Sequence, residues 1–140
     1  MKSVDLIIIN DGEVRMLAED DNLIRASRQL IGMVGCQTLI IKKGENGVLA
    51  FHGDDMIALP AYPTENVVDP TGCGDSCAGT SAACLAANNG PLSKSELRDA
   101  LIRATVTASF TLESVGTSGL IGLTLEKFKL RLAQFEEILS

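Results

Sequence analysis

Strand-sized apolar runs alternate along this chain with stripes of helical period, and that alternation admits few folds. The run "LIII" at Leu6 to Ile9 is apolar and β-branched and ends at the breaker Asn10-Asp11-Gly12, so a buried strand is expected over Val4–Asn10. Helices are expected over Glu13–Ala18 and Asn22–Val34. In the second, Leu23, Ala26, Leu30, Ile31 and Val34 form one stripe and Gly35 stops it. A second strand follows at Thr38–Lys42, then the tight turn "GENG", then a third strand at Val48–Phe51. Met56–Leu59 and Asn66–Val68 are expected as further short strands. Gly74–Asn88 reads as helix, broken by Gly90-Pro91. Ser93, with Glu96 three residues on, is a capping box opening a helix that runs to about Leu112. Thr124–Leu139 closes the chain, with Leu125, Phe128, Leu132, Phe135 and Leu139 spaced three and four apart. Two heptads are too few for a coiled coil, so a helix packed on a sheet is expected there.

Interleaved strands and helices place the chain in the α/β class with a largely parallel sheet. Its 140 residues fit one domain, 1–140, and 46% hydrophobic content supplies a core. A net charge of −6 argues against partners that are nucleic acids or anionic membranes. No apolar run has membrane-spanning length, and the opening "MKSVD" lacks the apolar core of a secretory signal, so a cytoplasmic location is expected.

The four cysteines do not form the pattern of a disulfide-stapled secreted domain. On a helix, Cys73, Cys77 and Cys84 would fall within roughly 40° of one face. A metal site would need a fourth ligand, and the single histidine, His52, lies in another segment. Small apolar thiols filling a packed helix face are the expectation.

The stretch richest in chemistry is "VVDPTGCGDSCAGT", Val67 to Thr80. A glycine-rich turn ahead of a helix leaves backbone N–H groups unbonded at the positive end of the helix dipole, which suits a phosphate or a developing anion. Glycines at 72 and 74 permit close approach to the main chain. Two familiar phosphate loops are absent: no lysine follows the glycines, and Cys77 stands where a dinucleotide fingerprint has its third glycine. This turn carries its own carboxylate, Asp75. An ionised aspartate beside an anion cradle is the pairing that phosphoryl transfer needs, because its loose transition state calls for alignment and charge stabilisation more than for a strong base. The alternative is that Asp75 merely caps a helix whose glycines serve packing.

"DPTGCGDSCAGT" resembles the signature of the ribokinase-like, pfkB-type carbohydrate kinases, Asp-x-Thr-Gly-Ala-Gly-Asp followed by a small-residue helix. Three further stretches are similar to that family, in family order: Asn10-Asp11-Gly12-Glu13 with the Asn-x-x-Glu spacing after a strand, "IIKKGENGVLA", and "ASFTLESVGTSGL". The resemblance implies a three-layer α/β/α fold and an ATP-dependent transfer of the γ-phosphate to a hydroxymethyl group of a sugar. An adenosine-type nucleoside kinase is the rival within the family, and a non-catalytic fragment that binds nucleotide or a partner chain is the rival outside it.

By that resemblance Asp75 is the base for the substrate hydroxyl, and the N–H groups of Gly72, Cys73 and Gly74 form the anion hole. Asn10 and Glu13 organise phosphates and Mg²⁺, Glu13 through water. Lys42, Gly44, Glu45 and Gly47 line the ATP site, Gly116 lies near the adenine, and Asp69 and Thr71 match a monovalent-cation site, K⁺ in some members. The residues also have plainer readings: Asn10 as a strand-end turn residue, Glu13 as a helix-start charge, Lys42 as a solvated strand edge. Cys73 replaces the usual alanine, and at a helix amino terminus its thiol pKa is expected to fall, opening it to oxidation. Family members are about twice this length, so the chain resembles their carboxy-terminal, nucleotide-binding half. An uncovered sheet edge would then favour self-association or pairing with the amino-terminal half.

Overall fold

The computed structural model describes residues 5–87, 92–116 and 118–140. The chain forms two compact units, Met1–Pro60 and Ala61–Ser140.

The first unit holds β1 (Leu6–Asn10), α1 (Asp11–Ala18), α2 (Leu23–Val34), β2 (Thr38–Lys42), β3 (Val48–His52) and β4 (Asp55–Leu59). They make a four-stranded sheet in the order β1-β2-β3-β4. β1 and β2 pair in parallel, from Leu6 opposite Thr38 to Asn10 opposite Lys42, with α1 and α2 as the crossover. β2–β3 and β3–β4 pair antiparallel. The α/β class stands, but among the described residues the sheet is mixed rather than largely parallel. Connection length decides this: a parallel return needs a dozen or more residues, and the links after β2 and β3 are far shorter. The first is a 3₁₀ turn, Gly44–Asn46, closed by Gly47, and the second is Gly53-Asp54.

One sheet face carries the core of this unit. Leu39, Ile41, Leu49 and Phe51 cluster with Val14, Ala26, Leu30 and Cys36 from the helical crossover. Gly47 is obligatory for a local reason. Its φ is +90°, and a Cβ there would sit 2.0 Å from the Leu59 carbonyl oxygen. The turn after β2 closes against the end of β4 with no room for a side chain.

The second unit is helical: α3 (Cys73–Ala86), α4 (Lys94–Leu112), α5 (Ser118–Ile121) and α6 (Leu125–Leu139). α4 is its centre and packs against α3, α5 and α6. Leu97, Ala100, Leu101, Ala104 and Val106 are buried along it. The expected capping box is present, with Ser93 Oγ accepting from Glu96 N and Glu96 Oε2 accepting from Ser93 N. α6 lies on α4, helix on helix, where a sheet had been expected to receive it. Its stripe is graded: Phe135 is fully buried, Phe128 and Leu132 are half-buried, and Leu125 is exposed.

Two elements differ from expectation, and α1 begins at Asp11 rather than Glu13. Asn66–Val68 is not a strand: Val67 and Val68 are exposed, and the N–H groups of Val68 and Asp69 both donate to the Leu112 carbonyl at 3.0 and 3.2 Å. The end of a helix captures the backbone that β-branched residues would otherwise offer to a sheet. α5 was not anticipated. The expected break at Gly90-Pro91, and the expected helix end at Asn88, lie outside the described residues.

Candidate functional site

The glycine turn is built by two local devices in series. Asp69 Oδ1 accepts from Thr71 N at 3.0 Å, an Asx turn that bends the chain. Pro70 O then accepts from Cys73 N at 3.2 Å. Gly72 adopts φ +85° and ψ −6°, the left-handed region, and its carbonyl accepts from Ser76 N at 2.9 Å to start α3. The start of α3 is tied to the last turn of α4 by a 2.8 Å hydrogen bond between the Ser76 and Thr111 hydroxyls.

α3 has no side-chain cap. Among the described residues, the N–H groups of Gly72, Gly74 and Asp75 make no backbone hydrogen bond, while that of Cys73 is engaged by Pro70. Unbonded donors and the positive end of the dipole act together at a helix start in this condition, an arrangement suited to an anion. The Asp75 carboxylate is exposed in the first turn of the same helix, with no hydrogen bond or ion pair among the described residues. Donors for a phosphate and an acceptor for a proton are thus adjacent on one turn.

Electrostatics at the turn correct one expectation. The Cys73 thiol is half-buried, and burial first, then the Asp69 charge, push its pKa up rather than down. Burial and the Asp69 charge thus both act against the activation expected of this thiol. The Asp69 carboxyl is held below the usual range by the Thr71 backbone N–H and then by the Thr71 side chain. Asp69 and Thr71, expected as cation ligands, are therefore bonded to each other. Among the described residues no group of three or more His, Cys, Asp or Glu side chains is arranged to hold a metal. Gly116, φ +60°, is exposed between α4 and α5.

The first unit gathers the other candidates at one end of its sheet. Asn10 and Lys42 are register partners at the carboxyl ends of the parallel pair β1 and β2, and the Gly44–Gly47 turn leaves from the same end. Carboxyl ends of parallel strands are where open α/β sheets receive ligands. Asn10 Oδ1 accepts from Glu13 N at 2.8 Å, and Glu13 Oε2 accepts from Asn10 N at 3.2 Å. Together they form the capping box of α1, a pairing not anticipated from the sequence, which starts the helix at Asp11 rather than Glu13. Glu13 is exposed and its Oε1 has no partner among the described residues. Lys42 is half-buried, and Glu45 is exposed on the 3₁₀ turn.

Sequence reading missed Thr111, the Leu112 carbonyl and Arg131. The first two have no sequence signal, because they act through a hydroxyl and a main-chain oxygen brought from 35 or more positions away. Arg131 did leave one: it falls between Phe128 and Phe135 at spacings of three and four, a cation inside an apolar stripe.

Comparison with known proteins gives a consistent result. The sequence profile of the pfkB family of carbohydrate kinases matches residues 1–121. A cytidine kinase of Thermococcus kodakarensis is 38% identical over 78 residues, which is 54% of this chain and 27% of that protein. The bifunctional protein HldE of Pseudomonas aeruginosa is 32% identical over 104 residues, 74% of this chain and 20% of that one. The crystal structure of aminoimidazole riboside kinase from Salmonella enterica, complexed with aminoimidazole riboside and an ATP analog, superposes with a TM-score of 0.78 at 24% identity. It is matched over 92% of this chain and 42% of its own, and a ribokinase from Thermotoga maritima gives 0.73 at 22% identity. The chain has the ribokinase-like α/β fold and spans less than half the length of each of these proteins.

Proposed function

Because the chain belongs to the pfkB family of carbohydrate kinases, we propose that it supplies the phosphoryl-transfer apparatus of an ATP-dependent kinase acting on a hydroxymethyl group of a sugar or related alcohol. The observation that carries this reading is the turn itself: Gly72 in the left-handed region, donors at the start of α3, and Asp75 exposed beside them.

In this reading the acceptor hydroxyl gives its proton to an Asp75 carboxylate oxygen as its own oxygen attacks the γ-phosphorus. The bond from that phosphorus to the bridging oxygen breaks, and ADP departs with the electron pair. The N–H groups of Gly72 and Gly74 stabilise the charge on the transferring group, and that of Cys73 joins them by exchanging its bond to Pro70. Lys42, Gly44, Glu45, Gly47 and Gly116 are assigned to the nucleotide. Asn10 and Glu13 are assigned to its phosphates and Mg²⁺. The open Oε1 of Glu13 is a hard oxygen donor, which fits Mg²⁺ held through water. When bound, the ion would neutralise phosphate charge. Asp69 and Thr71 are the candidates for a monovalent cation such as K⁺; their mutual bond supplies one ionised carboxylate, not a cage. We assign the activity to the cytoplasm. Among the described residues no helix is long and apolar enough to cross a membrane.

A nucleoside acceptor is the second reading, favoured by the 38% identity to a cytidine kinase. A third is that this polypeptide binds nucleotide without turning it over. It would then act by self-association or by pairing with an amino-terminal half.

Calorimetric titration with MgATP, on the parent chain and on Gly72→Val, tests the cradle. Saturable binding that the variant loses is the expected result, and binding that the variant retains refutes the cradle. Assays with a pentose, a hexose and a pyrimidine nucleoside then separate the acceptor classes. Asp75→Asn is expected to lower turnover by about 10²–10⁴-fold with MgATP affinity nearly unchanged. Full turnover in that variant would exclude Asp75 as the base.

A further inference from the structure

Residues 61–71 contain no helix or strand, so side chains and loop bonds set the path into the glycine turn. Several of those contacts converge on Arg131 in α6. Arg131 Nη2 pairs with Glu113 Oε1 at 2.8 Å, and Nη1 donates to Ser109 Oγ at 3.0 Å. Its guanidinium lies 3.8 Å from the centre of the Phe110 ring and 4.9 Å from that of Tyr62. Both charged side chains are about four-fifths buried, 19% and 20% exposed. The other oxygen of the same carboxylate, Glu113 Oε2, accepts from Thr64 Oγ1 at 2.8 Å, and Thr64 Oγ1 accepts in turn from Asn66 N at 3.1 Å. Tyr62 also contacts α6 directly, through Gln134 at 3.3 Å and the Phe135 ring at 5.8 Å. One residue before Glu113, the Leu112 carbonyl receives Val68 and Asp69, and Asp69 then forms the Asx turn into Gly72.

We propose that Arg131 is a positioning residue for the glycine turn. It fixes the Glu113 carboxylate against Thr64 and thereby sets where the 61–69 segment meets the end of α4. The site it serves rests on the kinase reading of the turn, but the device does not. Arg131 stands in α6, beyond residue 121 where the family match ends. The planar fork matters as much as the charge. It holds two acceptors, Ser109 in α4 and Glu113 at its C-cap, while lying over two rings, which a lysine ammonium cannot do at once. Without the cation, a largely buried carboxylate turns toward water and takes its hold on Thr64 with it.

Hydrogen exchange on the 140-residue chain tests this without any ligand. In Arg131→Met, the hydrogen-bonded amides of Asn66, Val68, Asp69, Thr71, Cys73 and Ser76 are expected to exchange about tenfold faster, with those of Leu97–Val106 unchanged, because local opening is separable from global unfolding. Arg131→Lys keeps the ion pair and is expected to restore protection to within about threefold of the parent. MgATP affinity should follow the same order. Unchanged exchange at 64–76, or equal acceleration there and in α4, overturns the proposal by showing either no role or a general packing role. If Arg131→Met does not fold, Thr64→Val decides: local acceleration supports the proposal and none overturns it. A parent chain that fails to bind MgATP while showing the local exchange pattern refutes the kinase reading and leaves the positioning role standing.

Discussion

Gly72→Ala isolates the energetic cost of the turn from any steric effect. A Cβ at Gly72 would meet Thr111 Cγ2 at 3.7 Å, an ordinary contact, so space is not what excludes alanine. What remains is φ +85°. Placing an L-residue in the left-handed region costs about 1–2 kcal/mol. The stiffer unfolded chain returns roughly 0.4–1 kcal/mol. The net expected loss is on the order of 1 kcal/mol. The chain has no tryptophan and one tyrosine, Tyr62, in the second unit. Tyrosine fluorescence during urea unfolding therefore reports on the unit that contains the turn. With m near 1–3 kcal/mol/M, the midpoint should fall by roughly 0.3–1 M at constant slope. A midpoint that stays or rises would mean that Gly72 is not left-handed in solution. A loss of about 3 kcal/mol or more would require a clash, as in overpacked cores, that the 3.7 Å contact does not provide.

Three other outcomes are expected. Gly47→Ala combines positive φ with a Cβ 2.0 Å from the Leu59 carbonyl, so it should destabilise the first unit by about 2–5 kcal/mol, read by hydrogen exchange in β3 and β4. Ser81 is fully buried in α3, and its hydroxyl has no partner among the described residues, so Ser81→Ala should raise the urea midpoint through a stability gain of about 1 kcal/mol at most; a loss of stability would mean that the hydroxyl is bonded. Asp69 has a folded pKa below the ordinary aspartate value of 3.8, so its contribution is fully present above that value and is lost as pH falls through the lower folded one. Between pH 7 and pH 3 the parent midpoint should therefore fall more than that of Asp69→Asn, and equal falls would refute the Asx turn.

What could be read from sequence here was what the chain encodes over a few neighbouring residues. The glycine turn, the capping box at Ser93 and the "GENG" turn are specified within six residues each, and each is found where its residues stand, whereas the second capping box, at Asn10 and Glu13, had the right residues but was not read. The sheet was read too generally: the five residues between Lys42 and Val48 are too few for a crossover, so loop length already held the correction to a mixed sheet. Val67 and Val68 misled because propensity ranks side chains, whereas their path is set by the distant Leu112 carbonyl. Cys73 misled for a similar reason. The dipole was visible in sequence, but the depth of the thiol and the bend that brings Asp69 near it were not.

The capping box at Asn10 and Glu13 also imposes a coordination rule. Glu13 Oε2 is committed to the Asn10 N–H, and its carboxylate closes the first turn of α1. A cation that chelates both oxygens must unfasten that turn, a competition costing about 1 kcal/mol, or roughly fivefold in affinity. A cation that takes Oε1 alone, or a water in front of it, leaves the helix intact. Under the proposed assignment of Glu13 to Mg²⁺, the helix start would discriminate by denticity, admitting the one-oxygen, hydrated mode of a small octahedral ion and handicapping the two-oxygen mode of a larger one.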